Sequence, residues 1–184
     1  MALEIERKFL LHAYPEVLIR SGELVVRSEQ YIEQTYLAID GKQELRVRKI
    51  TDLATGLVEY THTFKNGGGL SREEVEYSIS QGIYEQMIKA VRAVALTKKR
   101  VTAAWGETSV EIDCYDQIDL IVAEVEFGSV EEAMGFTAPH WFGPDISESR
   151  KYSNKAVWRA LQTGEIAELA AALKRTEGRT ETAE

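Results

Sequence analysis

The sequence predicts an α+β protein built mainly from strands, rolled into a barrel with a charged interior and with helices packed on the outside. Two observations carry this reading. Apolar and polar residues alternate with period two along most of the chain, the spacing at which successive side chains point to opposite faces of a strand. On strand after strand, formal charge of both signs gathers on one of those faces. A third observation sets the scale: 184 residues, 44% hydrophobic and 28% charged, suffice for one well-packed domain and are too apolar for a disordered chain.

Taken in order, the alternation places strands near 2–11, 25–39, 43–51, 58–66, 72–79, 94–104, 107–117 and 119–127. Helical spacing runs over Gln81–Val91 through Ile83, Met87, Ile88 and Val91, and shorter helical patterns cover Val130–Phe136 and Lys155–Leu161. The main domain is read as residues 1–162. A C-terminal helix follows over 163–175, starting near Gly164 and carrying Ile166, Leu169 and Leu173. The small, polar and charged stretch 176–184 is expected to be disordered. No repeat or Pro/Gly-rich linker divides the chain, whose three prolines are Pro15, Pro139 and Pro144.

The charged faces are the informative feature. Glu4, Glu6 and Lys8 oppose Leu3, Ile5 and Phe9; Arg46 and Arg48 oppose Leu45 and Val47. Arg72, Glu74 and Glu76 oppose Val75, Tyr77 and Ile79; Glu111 and Asp113 oppose Val110 and Ile112. Glu124 and Glu126 share a face backed by Ala123, Val125 and Phe127, and Thr61, Thr63 and Lys65 add a further face. Lys98, Lys99 and Arg100 leave one register ambiguous, since a slip of one residue exchanges faces; Lys98 and Arg100 are assigned inward. Two arrangements accommodate the pattern: a sandwich whose charged faces are solvated, or a barrel whose charged face is interior. The barrel requires an occupant, because unpaired buried charge costs several kcal/mol per ion. A polyanion together with a divalent cation matches both signs. Lys and Arg would hold phosphate oxygens, and clustered carboxylates would hold a hard cation such as Mg²⁺ or Mn²⁺.

Other features exclude function classes. A net charge of −8 argues against general nucleic-acid binding, which depends on a broad basic surface. The single Cys114 forms no internal disulfide, no Cys/His spacing suits zinc, and no apolar run reaches membrane-helix length, so a cytoplasmic protein without a membrane span is expected. His12, His62 and His140 are scattered, and Cys114 is read as facing the apolar shell. Gly67-Gly68-Gly69 lacks the Gly-Lys-Ser/Thr of a phosphate loop and lies between two strands, so it reads as a hairpin turn. Trp141 and Trp158 are read as packing helices against the barrel exterior. A homodimer is the expected assembly, two-fold dimers being the commonest soluble homo-oligomers.

Against this background, Glu4-Ile5-Glu6-Arg7-Lys8 resembles the N-terminal E-x-E-x-K signature of the CYTH superfamily, the triphosphate tunnel metalloenzymes. Further matching pieces, in order, are Arg46-Val47-Arg48, the stretch from Phe64 to Glu76, Lys98-Lys99-Arg100, Glu111-Ile112-Asp113 and Glu124-Val125-Glu126-Phe127. Trp141-Phe142-Gly143 and Tyr152-Ser153-Asn154-Lys155 complete the set, which reaches to Leu161. The resemblance implies a closed antiparallel barrel of about eight strands forming a tunnel. It implies that Glu4, Glu6 and Glu126 ligate Mg²⁺ or Mn²⁺, and that Lys8, Glu124 and these ligands form the catalytic set. Lys8, Arg46, Arg48, Lys65, Arg72, Lys98 and Arg100 are implied phosphate contacts, and Glu74, Glu76, Glu111 and Asp113 line the tunnel in roles left open.

The chain is most similar to short bacterial members that hydrolyse inorganic tripolyphosphate to pyrophosphate and orthophosphate. A triphosphate-bearing small molecule is therefore the implied partner. Two alternatives stay open: an adenylate cyclase or a nucleoside or thiamine triphosphatase of the same family, and a polyphosphate-binding module without turnover.

Overall fold

In the computed structural model, backbone is described for residues 2–68 and 71–180, and side chains for 4–67 and 73–174. The described residues form eight strands: β1 (Ala2–Leu11), β2 (Leu24–Asp40), β3 (Gln43–Asp52), β4 (Val58–Gly68), β5 (Ser71–Ser78), β6 (Leu96–Trp105), β7 (Thr108–Tyr115) and β8 (Ile121–Glu126). The helices are α1 (Glu16–Ser21), α2 (Gln81–Val91), α3 (Val130–Gly135), α4 (Asn154–Thr163) and α5 (Ile166–Thr180), with a 3₁₀ turn at Arg150–Tyr152. Two of these differ from the sequence reading. The six-residue α1 has no apolar period to announce it, and α5 continues to Thr180, leaving only 181–184 of the expected tail outside the described residues.

All strand pairs are antiparallel, and the order of neighbours runs in a circuit, β1-β5-β4-β3-β2-β6-β7-β8. The expectation of a closed tunnel is nevertheless corrected by the pairing of β1. Its residues Ala2–Ile5 pair β5 and its residues Glu6–Leu11 pair β8, so among the described residues none of β1 is laddered on both sides. The pairing of β5 with β1 stops at Glu74, short of the strand's end at Ser78. Stagger is the physical reason. Curling a sheet offsets each strand against the next, and a ten-residue β1 is used up by that offset. The result is an α+β fold whose antiparallel sheet curls into an open half-barrel.

Where β1 parts from β5, the segment around Asp145 takes the vacated edge. Leu10 N–H donates to the Pro144 carbonyl at 3.0 Å, Gly143 N–H to that of Leu10 at 2.9 Å, and Ile146 N–H to that of Lys8 at 2.8 Å. Arg7 clamps this segment, its Nε and Nη2 donating to Asp145 Oδ2 at 2.9 and 2.6 Å while Nη1 reaches the Ala133 and Phe136 carbonyls.

The helices are not all outside, which corrects a second expectation. One apolar layer does cover the exterior: Phe9, Val101, Val110, Ile112, Ala123 and Val125 pack beneath Leu18 and Ile19 of α1 and beneath Phe136, Trp141 and Phe142. The other core cluster joins Leu10, Leu96, Tyr115 and Val122 to Val157 of α4 and Leu173 of α5. By strand alternation those four share the interior face with Lys8, Lys98, Asp113 and Glu124. The interior is thus apolar toward one end, where α4 and α5 stopper it, and charged toward the other. Trp158 belongs to this stopper, its ring 5.3 Å from that of Tyr36, and not to the exterior layer as expected. Among the described residues no helix is long and apolar enough to cross a membrane.

A Cβ on Gly143 would lie 2.6 Å from the Leu10 carbonyl oxygen, to which Gly143 is itself bonded. Gly143→Ala is therefore expected to cost about 1–3 kcal/mol in urea unfolding by forcing this segment off β1.

Candidate active site

Strand register assembles the charged wall. Residues opposite one another share a face, so the pairs Lys8↔Glu124, Glu6↔Glu126, Glu111↔Glu124 and Arg100↔Asp113 carry one band of charge across β1, β8, β7 and β6. Lys8 Nζ lies 2.7 Å from Glu124 Oε1. Arg100 donates through Nε and Nη2 to the two oxygens of Asp113, both at 2.7 Å, through Nη2 to Glu124 at 2.8 Å, and pairs Glu111 through Nη1. Lys98 closes on the same Asp113. Lys99 takes the other face and pairs Glu29 at 2.7 Å.

Burial and charge compete throughout this band. Burial alone would push the Glu124 carboxyl up, but Lys8, Arg100 and Lys98 hold it well below the usual carboxylate range. Burial opposes the Lys8 ammonium, yet Glu124 and Glu6 outweigh it and raise Lys8. For Lys98 burial wins over the attraction of Asp113 and brings the ammonium down to about 7. Burial likewise raises Glu111.

The facing wall is paired differently. Arg46 Nη2 lies 3.3 Å from Glu74 and 3.7 Å from Glu76, and its buried Nε has no hydrogen-bond partner among the described residues. Lys65 donates to Glu4 at 2.9 Å and also pairs Glu74. Burial, with a hydrogen bond to Glu4, raises the Glu74 carboxyl to about 7 despite Lys65 and Arg46. The Thr63 hydroxyl donates to Glu76 at 2.6 Å. Arg48 Nε donates to Gln34 Oε1 at 2.9 Å, and the closest carboxylate paired with Arg48 is Glu76 at 3.9 Å. Burial and the neighbouring charges of Arg46 and Arg100 pull the Arg48 guanidinium down to about 10.

These walls enclose one cavity of about 1010 Å³. It brings together Glu4, Glu6, Lys8, Arg46, Arg48, Lys65, Glu74, Glu76, Arg100, Glu111, Glu124 and Glu126. Lys98 and Asp113 do not line it; they are fully buried behind Arg100. The side chain of Arg72 lies outside the described residues. Sequence reasoning missed Tyr36, Lys42, Glu44, Arg150, Lys155 and Arg159, which line the same cavity. The four-residue spacing of Lys155 and Arg159 marks one helix face, but nothing local says that the start of α4 borders the cavity, where Lys155 pairs Glu44 at 3.1 Å.

Among the described residues no three His, Cys, Asp or Glu side chains form a ready-made coordination group. The donor chemistry fits a hard cation all the same. Burial and the negative charges of Glu4 and Glu6 raise the Glu126 carboxyl, a repulsion that a divalent ion among these oxygens would relieve.

The sequence profile of the CYTH domain matches residues 2–137. The chain belongs to the CYTH family. An inorganic triphosphatase of Nitrosomonas europaea is 32% identical over 162 residues, covering 84% of this chain and 95% of that protein. The crystal structure of the inorganic triphosphatase NE1496 superposes with a TM-score of 0.57 at 31% identity, covering 86% of this chain and 95% of that one. The PH1819 protein of Pyrococcus horikoshii, at 16% identity, a TM-score of 0.55 and coverage of 70% and 81%, shares the fold.

Asp113 is the common partner of two buried cations in this CYTH protein, so Asp113→Ala is expected to destabilise the fold by about 3–5 kcal/mol in urea unfolding. Asp113→Asn, which keeps hydrogen-bond acceptance, should cost less.

Proposed function

We propose that this CYTH protein hydrolyses a triphosphate at its terminal phosphorus, and that inorganic tripolyphosphate is the substrate, with water consumed and orthophosphate and pyrophosphate released. The observation that carries the reading is the grouping of Arg46, Arg48 and Arg100 around one cavity with Arg48 under-neutralised, beside the mutually repelling carboxylates Glu4, Glu6 and Glu126. The first set calls for an anion of high charge and the second for a cation. The inorganic triphosphatase of Nitrosomonas europaea, similar over most of the chain, supports the choice of substrate.

In this reading Arg46, Arg48, Lys65, Arg72, Arg100 and Lys8 hold phosphate oxygens, and their fixed charges stabilise the negative charge that develops during transfer. Glu124 stays ionised because Lys8 and Arg100 hold it so, and in return it aims both cations. Lys98 acts through Asp113, at one remove from the phosphates. Glu4, Glu6 and Glu126 would hold Mg²⁺ or Mn²⁺. That ion, when bound, supplies charge neutralisation at the phosphate oxygens.

Phosphate release from tripolyphosphate, ATP and thiamine triphosphate, each with Mg²⁺, Mn²⁺ or a chelator, tests the reading. Release should be fastest from tripolyphosphate and abolished by the chelator. Glu6→Gln should lower turnover by about 10²-fold or more with little change in melting temperature. Wild-type turnover in that variant would sink the assignment of Glu6. Arg48→Ala should raise KM by at least about tenfold, equivalent to about 1.4 kcal/mol of lost binding.

A further inference from the structure

Resting on the triphosphatase reading, we propose that Gln34 is a positioning residue for phosphate binding: a neutral acceptor that orients the Arg48 guanidinium at the cavity without cancelling its charge. Gln34 stands opposite Arg48 in the β2–β3 ladder and has no exposed surface. A buried primary amide must find partners for both ends. Its Oε1 accepts from Arg48 Nε at 2.9 Å and its Nε2 donates to the Tyr36 hydroxyl at 3.1 Å. The amide can sit only this way round, because a guanidinium has no acceptor to offer. The Tyr36 ring in turn packs on Trp158 of α4, so the stopper at the end of the half-barrel buttresses the amide.

The charge of the partner is what separates Arg48 from its neighbours. Lys8, Lys65, Arg46 and Arg100 each have a carboxylate within 3.3 Å. Arg48 has a neutral amide at 2.9 Å and, among the described residues, no paired carboxylate closer than 3.9 Å. A glutamate at position 34 would meet the same geometry toward Arg48, which could still donate to it. It would also neutralise Arg48. A glutamine occupies Nε and leaves most of the charge, with Nη1 no nearer than 3.9 Å to Glu76, to a phosphate, for which the planar fork is suited.

The test compares wild type, Gln34→Glu and Gln34→Met, each also combined with Arg48→Ala, by steady-state phosphate release from tripolyphosphate with Mg²⁺ and by thermal melting. Gln34→Glu should melt no lower than wild type and raise KM at least about tenfold, with kcat changing less than about threefold. In the Arg48→Ala background the same substitution should change KM by less than about twofold, because the charge it opposes is gone. Gln34→Met, which loses the acceptor without adding charge, should raise KM by a smaller factor. A wild-type KM in Gln34→Glu, or an equal penalty with and without Arg48, would overturn the proposal. If Gln34→Glu does not fold, a wild-type KM in Gln34→Met overturns it instead. A wild-type protein that releases no phosphate from any triphosphate would remove the triphosphatase reading and this inference with it. An active wild type with an indifferent Gln34→Glu removes the inference alone.

Discussion

Asp113 accepts from Arg100 with both oxygens and pairs Lys98 as well, and Glu111, Glu124 and Lys8 are arranged around this contact. Arg100, fixed by Asp113, reaches Glu124; Glu124, held ionised, reaches Lys8 on β1. One chain of ion pairs thus ties β6, β7, β8 and β1 together across the interior, where each member would be costly alone. Among the described residues the opposite wall shows no such chain. Burial raises Glu74, the Nε of Arg46 has no partner among the described residues, and Arg48 leans on an amide. The stabilising wall and the receptive wall face each other over the same cavity.

The change of character along the interior follows from where the helices sit. On β1, β6, β7 and β8 the inward residues run from Leu10, Leu96, Tyr115 and Val122 to Lys8, Lys98, Asp113 and Glu124 within one step of the alternation. The apolar end buries Val157 and Leu173, and so the start of α4 comes to border the charged end, with Lys155 and Arg159 facing the cavity. A short strand that pairs two neighbours with different halves leaves the sheet an open half-barrel, and the Gly143–Ile146 segment, clamped by Arg7, occupies part of that seam.

Much of this was legible in the residue order. Strand positions and the inward set Glu4, Glu6, Lys8, Arg46, Arg48, Lys65, Glu124 and Glu126 could be read because alternation is local, and so could the helices Gln81–Val91 and Val130–Phe136, nearly to their ends. Gln34 was not legible, since between Ile32 and Tyr36 it reads as one polar residue in a half-buried strand. The closed tunnel was expected because neither alternation nor family resemblance reports the stagger between strands. The sequence reading puts Trp158 on the exterior because its helix shows which residues are apolar, not which end of the sheet they cover.

By itself the sequence determined which side chains share a face, since that depends only on the two-residue period of an extended chain. The tertiary structure decided which charges neutralise one another, where the half-barrel stays open, and that Arg48 meets an amide while Arg100 meets three carboxylates. Those outcomes depend on register and stagger between strands far apart in sequence, such as β1 with β8 or β2 with β6, and no local pattern encodes them.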